Sequence, residues 1–223
     1  MTYIVFDVES TGLEPARTPL AHPSGLVFRG SEVCQIGGLV LDSKMKPIKL
    51  FCHYCDIVAA ESHPKAKEVH RIDMRKVREH LPGRFLPEIL TKYVPEFFLE
   101  NVLFIGYNVE YDMTMVKQTL SNSPISFEAS PLRSPLLPKG GRHSVDIMPF
   151  LQADGKRRKL SSYEGELYEA REQFLAQHNG KLGVDTNCIE LLQGTWDRAH
   201  NSFFDSLNTF LLWRDKVWRK KLI

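Results

Sequence analysis

The sequence predicts an α/β fold built on a mixed central sheet, and three observations carry that prediction. The chain opens with a short β-branched and aromatic run, Tyr3 to Phe6, which reads as a buried strand and runs straight into Asp7 and Glu9. Two more strand-like runs follow, Val33–Leu41 (VCQIGGLVL) and Ile48–Tyr54, with Asp42-Ser-Lys between them as a hairpin turn. The sheet thus starts as an antiparallel three-strand meander. Beyond it, apolar runs alternate with segments of helical period, which places helices against the sheet.

Composition sets the frame. A chain of 223 residues is long enough to bury a full core, and one domain over 1–223 is the simplest reading. Hydrophobic content of 43% and charged content of 25% are those of a soluble globular protein. A net charge of +2 is not that of a strongly basic nucleic-acid binder, although an acidic site can mask local basic patches. No apolar run approaches the length of a membrane span, and the chain starts in a strand with no charged-then-apolar leader. A cytoplasmic location is therefore expected, with free thiols at Cys34, Cys52, Cys55 and Cys188. Cys52-His-Tyr-Cys55 has no second Cys or His pair at matching spacing, so it reads as part of a buried strand and not as a zinc site.

Taken in order, residues 14–30 are rich in Pro and Gly and form a long loop. Pro64 to Ile72 predicts a short helix and Phe85 to Leu99 a longer one, with Phe85, Ile89, Tyr93 or Leu90, and Phe97 at helical spacing. Arg71, Arg75, Lys76 and Arg78 lie between them as a solvated charged face. Val102 to Gly106 is the next buried strand. Asn108 to Asp112 follows it and leads into a helix through Met113, Met115, Val116 and Leu120, while Glu110 suits the helix N-terminus. Residues 121–142, with four prolines, read as a second long loop and carry Arg133, Lys139 and Arg142. Order resumes over Val145 to Leu151, and Lys156-Arg-Arg-Lys159 reads as a solubilising turn. Leu160 to His178 predicts a helix with Leu167, Ala170, Phe174 and Leu175 on one face. The last helix runs from about Asn201 to Trp218.

The acids stand out against this frame. Asp7 and Glu9 are two apart in a strand, so they share a face roughly 7 Å apart. Asp112 sits in the first turn of a helix that begins where a buried strand stops, the usual place for a ligand site in an open α/β sheet. Asp205 lies inside the last helix beside its apolar stripe, where an acid needs a partner or a metal. Carboxylates gathered in one place repel, and a cage for hard divalent cations resolves that. His200 precedes Asp205 by five residues, which on one helix is about 140° away. The two share a site only if His200 lies in the loop or first turn and Asp205 reaches back.

These residues match a family in order and context. Phe6-Asp-Val-Glu-Ser-Thr-Gly12, Gly106-Tyr-Asn-Val-Glu-Tyr-Asp112 and His200-Asn-Ser-Phe-Phe-Asp205 resemble the three motifs of the DEDDh (DnaQ-like) 3′→5′ exonucleases, the superfamily of the bacterial proofreading epsilon subunit and RNase T. Val69-His-Arg-Ile72 resembles a further stretch of that family, with Arg71 where glycine is usual. The resemblance implies a ribonuclease H-like fold and hydrolysis of phosphodiester bonds at single-stranded 3′ ends, releasing nucleoside 5′-monophosphates. DNA is the favoured polymer and RNA the alternative. It also implies two Mg²⁺ or Mn²⁺ ions held by Asp7, Glu9, Asp112 and Asp205, with His200 taking the proton from the attacking water. Thr11 and Leu13 would meet the terminal nucleotide, and Asn108 would assist at the phosphate. A proofreading role would require a polymerase partner. The rival reading from another class is a catalytically silent nucleic-acid-binding module, whose mark would be a lost carboxylate or histidine; all five residues are present.

Overall fold

The computed structural model describes residues 1–12, 20–21, 27–28, 30–58, 62–123, 144–151, 159–178, 182–184 and 200–218. Strands β1 (Thr2–Ser10), β2 (Val33–Leu41) and β3 (Pro47–Tyr54) form the expected antiparallel meander. Asp42 builds the β2–β3 turn: its Oδ1 accepts from the Lys44 and Lys46 amides at 2.8 and 2.9 Å. β4 (Val102–Gly106) pairs with β1 in parallel, and β5 (Ser144–Asp146) pairs with β4 in parallel. β6 (Leu182–Val184) extends the other edge, parallel to β3. The six-stranded order β5-β4-β1-β2-β3-β6 makes β1 a central strand with partners on both sides. That position suits Ile4, Val5 and Phe6, each without exposed surface.

Alternation along β1 divides the core into two layers. Ile4, Phe6 and Val8 point to one face and pack with Ile36, Val40 and Phe51. Covering that face are α3 (Leu86–Tyr93) and α4 (Val109–Asn122), with Phe97 meeting Phe6 edge-on at 5.3 Å. Val5 points the other way, with Leu39, Leu41 and Leu50. Over this second face lie α5 (Glu164–His178) and α6 (Ser202–Leu212), which buries Phe203, Leu207, Phe210 and Leu211. The helix α6 is apolar nearly all round because it lies sandwiched between the sheet and α5.

Several local expectations are corrected. Phe85 to Leu99 is not one helix: α3 stops at Tyr93 and a separate 3₁₀ turn covers Pro95–Phe98. Pro95 lacks an amide hydrogen and forces Val94 out of helical geometry, to φ −136° and ψ 54°. The basic stretch after α1 (Pro64–His70) is itself a helix, α2 (Met74–His80), capped by Asp73, whose Oδ1 accepts from the Arg75 amide at 3.0 Å. Met74 and Val77 bury its inner side. Arg78 is no solvated charge either: its Nε donates to Asp56 Oδ1 at 3.1 Å and its Nη2 to the Ile57 carbonyl at 3.2 Å. Leu160–Tyr163 is a 3₁₀ turn ahead of α5, and Trp213–Trp218 continues α6 as a π-helix. A two-stranded ladder, Leu20–Ala21 with Val27–Phe28, lies within the first long loop. The remainder of that loop up to residue 29, the second loop beyond Ser123, most of the Lys156–Lys159 run and Cys188 lie outside the described residues. Cys34, Cys52 and Cys55 are buried.

The backbone at Arg71 is one that glycine would suit better. It ends α1 in the left-handed region at φ 60°, with its amide returning to the Lys67 carbonyl at 2.8 Å. Glycine adopts that conformation freely, whereas a side chain strains it. Arg71→Gly is therefore expected to stabilise the fold by about 0.5–1 kcal/mol, the relief of strain less the entropy glycine adds to the unfolded chain. A urea midpoint that stays the same or falls would show that the strain at this turn does not exceed the entropy glycine adds.

Candidate active site

The acids meet at the carboxyl end of β1. The ladder sets Asp7 opposite Gly37 and Glu9 opposite Gln35. Gly37 is bare because α6 lands on it: a Cβ there would collide with the backbone of Phe203 and Ser202. Ser206 Oγ donates to the Gly37 carbonyl at 2.8 Å and holds the helix down. The first turn of α6 thus lies across β2 beside Asp7 and Glu9. Asn201 caps it, its side-chain oxygen accepting from the Phe203 amide at 3.1 Å. His200 stands outside the helix in the left-handed region, φ 67°, and its amide donates to Asp205 Oδ2 at 3.0 Å. Asp205 reaches back to the loop residue, the geometry under which the two can share a site. Glu9, His200 and Asp205 each bring a ligand atom within 4.8 Å of the others.

Asp112 arrives from the neighbouring strand. Because β4 is parallel to β1, its carboxyl end lies at the same end of the sheet. The turn into α4 is tight: Asn108 is left-handed at φ 66°, and a Cβ on Gly106 would press on Val109. Asp146 at the end of β5 pins this turn, its Oδ1 accepting from the Asn108 and Met148 amides, both at 2.9 Å. One turn into α4, Asp112 is 3% exposed, and its Oδ2 has no hydrogen-bond partner among the described residues. Glu110 points away to Ser144 Oγ at 3.2 Å, in keeping with its reading as a helix-end acid.

Electrostatics here run against folding. Burial is the largest cause pushing the carboxyls of Asp7, Glu9 and Asp112 well above the usual carboxylate range. Asp112 and Asp205 add repulsion at Asp7 and Glu9, and Asp146 and Asp205 add it at Asp112. Asp7 keeps some surface open at the mouth of the site, while Glu9 is 8% exposed. Oxygen donors gathered this closely, one of them buried and unpaired, suit a hard divalent cation; all four acids and His200 face this end of the sheet.

Around them sits a polar shell that the sequence reading passed over. Tyr111 Oη lies 2.9 Å from Ser10 Oγ and donates to the Gly12 carbonyl at 3.2 Å, so α4 clasps the loop leaving β1. His70 is buried, held neutral with its pKa pushed down to about 4, first by burial and despite a hydrogen bond to the Ser10 backbone. Thr11 is buried with both backbone groups engaged, its amide to the Glu32 carbonyl at 2.8 Å and its carbonyl from the His63 amide at 2.7 Å. Asn108 is exposed and its side chain makes no capping bond. Leu13 lies outside the described residues. Asp146 had a legible signal, since Ser144-Val-Asp146 is a short strand ending in an acid, the pattern of Phe6-Asp7. Gln35 had one too, as the lone polar side chain in VCQIGGLVL.

No family model matches the sequence, and no curated protein matches it. Solved structures do match. Exonuclease I from Methylocaldum szegediense superposes with a TM-score of 0.54 at 16% identity, over 96% of this chain and 41% of that one. E. coli Exonuclease I, in complex with a dA16 oligonucleotide, gives 0.51 at 15% identity, over 98% of this chain and 41% of that one. This chain spans about two-fifths of the length of those proteins. At such identity the likeness is one of fold. The fold class is the expected one: a mixed central sheet flanked by helices, of ribonuclease H-like type.

The repulsion has a measurable sign. A carboxyl whose folded pKa lies above its unfolded value keeps a proton that the unfolded chain has lost. Its stabilising share is then greatest in acid and falls as pH rises from about 4 through the raised folded value. His53 and His70, pushed down by burial to about 3 and about 4, act in the opposite direction at mildly acidic pH, so the comparison needs a variant. With chelator present, Asp112→Asn should be more stable than wild type by about 1 kcal/mol or more at pH 8, and by less at pH 5. Urea midpoints at the two pH values read this out; a gain that does not change with pH would remove the repulsion argument.

Proposed function

We propose that this chain is a metal-dependent 3′→5′ exonuclease acting on single-stranded nucleic acid. The observation that carries the reading is the convergence of Glu9, His200 and Asp205 within 4.8 Å, at the strand end that also bears Asp7 and Asp112. The three motifs they belong to, and the fold shared with the Exonuclease I structures, support it. Asp7, Glu9, Asp112 and Asp205 would hold two Mg²⁺ or Mn²⁺ ions, and the unpaired Asp112 Oδ2 fits that role. When bound, such ions neutralise the acids and act as Lewis acids on the scissile phosphodiester.

The chain's own residues supply the rest. His200 is exposed at the mouth of the site, and its left-handed backbone frees the imidazole from the helix while Asp205 tethers its amide. It would take a proton from the attacking water at an imidazole nitrogen, a role worth about 10²–10⁴-fold. Asn108, at positive φ and with an exposed side chain, would meet a phosphate oxygen. Thr11, hydrogen-bonded through its amide, carbonyl and Oγ1, would meet the terminal nucleotide together with Leu13. DNA is the preferred polymer, a choice supported by the oligonucleotide in the E. coli Exonuclease I structure; RNA is the alternative. Among the described residues no helix is long and apolar enough to cross a membrane.

Single-stranded DNA and RNA oligomers labelled at the 5′ end test this directly, incubated with Mg²⁺, Mn²⁺ or EDTA. Wild type should give ladders shortening from the 3′ end that EDTA abolishes, with DNA degraded faster than RNA. Asp7→Ala should abolish the ladder, and His200→Ala should slow it by about 10²–10⁴-fold. Binding of the oligomers with no shortening under either metal would favour the silent binding module instead.

A further inference from the structure

Gln35 is 1% exposed in an otherwise apolar strand, and its partner across the β1–β2 ladder is Glu9. Directly opposed residues of an antiparallel pair project to the same face, so Gln35 stands beside Glu9 under the start of α6. Its Oε1 accepts both hydrogen bonds that Ser202 offers, from the backbone amide at 3.0 Å and from Oγ at 3.0 Å. Ser202 has no exposed surface, and Asn201 before it is 1% exposed. From Gln35 the connection to His200 is therefore one side chain and two buried residues. It ends at the left-handed turn whose amide is fastened to Asp205.

The chemistry of the side chain fits this place. The Ser202 amide belongs to the first turn of α6 and has no partner within the helix, so something buried must accept from it. A carboxylate could accept, but it would add a negative charge where Asp7, Glu9 and Asp112 already repel. A side-chain amide supplies the same oxygen without charge. An apolar residue would fill the space and leave two buried donors unmet.

We propose that Gln35 is a positioning residue for His200: by taking both donors of Ser202 it holds the turn that sets the imidazole against Glu9 and Asp205. The proposal rests on the exonuclease reading of the site. Gln35 touches neither substrate nor reacting atoms and acts through the histidine. Its loss should therefore cost turnover more than substrate binding, and should cost little once His200 is gone.

Gln35→Met, similar in length and without the amide oxygen, is the test variant, made in wild-type and His200→Ala backgrounds and compared per folded molecule by circular dichroism. In the wild-type background kcat on a single-stranded oligomer should fall about ten- to a hundred-fold, with KM within about threefold. In the His200→Ala background the further loss should be under about threefold. Ser202→Ala, which keeps the backbone donor, should give a smaller loss of the same kind. The His200 imidazole carbon–proton resonance should move in Gln35→Met. Equal losses in both backgrounds, a loss accounted for wholly by a smaller folded fraction, or an unmoved resonance would each overturn the proposal. If wild type shortens no oligomer at all, the exonuclease reading fails, and the resonance alone decides whether Gln35 positions His200.

Discussion

Repulsion among buried carboxylates is the constraint that the rest of this structure answers to. Asp7, Glu9, Asp112 and Asp205 come from a central strand and two helices on opposite faces of the sheet, and they converge at one end of it. Nothing in a free chain would bring them together. They meet because β1 has neighbours on both sides, because β4 runs parallel to it, and because Gly37 lets α6 sit directly on β2. The apolar layers on either face supply the favourable free energy that offsets an unfavourable site. A cation would turn that cost into attraction.

Two left-handed turns deliver Asp112 and Asp205, and they are built alike. Asn108 and His200 each precede a helix, each has positive φ, and each is anchored by a nearby oxygen acceptor. For Asn108 the acceptor is Asp146; for His200 it is Asp205, with Gln35 holding the helix start. Positive φ in a residue other than glycine costs energy that the surroundings must supply. In both places the helix that follows carries an acid inward, Asp112 in α4 and Asp205 in α6.

Much of this was legible in the sequence, for identifiable reasons. The meander was legible because VCQIGGLVL and the run after it are long apolar stretches split by a clear turn at Asp42. Asp7, Glu9, Asp112 and Asp205 stood out because acids beside buried runs carry an electrostatic cost, and His200 only through its place before Asp205. What escaped depends on tertiary contact. Arg78 looks solvated until Asp56 is placed beside it, and α2 looks like a charged linker until Met74 and Val77 are seen to bury. Periodicity carried the helix after Phe85 through Pro95, although proline chemistry stops it at Tyr93. Gln35 and Asp146 stand out locally as polar residues in or after apolar runs, but they and Tyr111 act through partners far away in sequence, so no local pattern says what they hold.

The most direct test of the central claim is a calorimetric titration of metal-free protein with Mn²⁺ at neutral pH, run beside Asp112→Asn. The account predicts saturable binding of two ions per chain in wild type, with one of them weakened or lost in the variant. Wild type that binds no Mn²⁺ at saturable sites, or a variant that binds as wild type does, would contradict it.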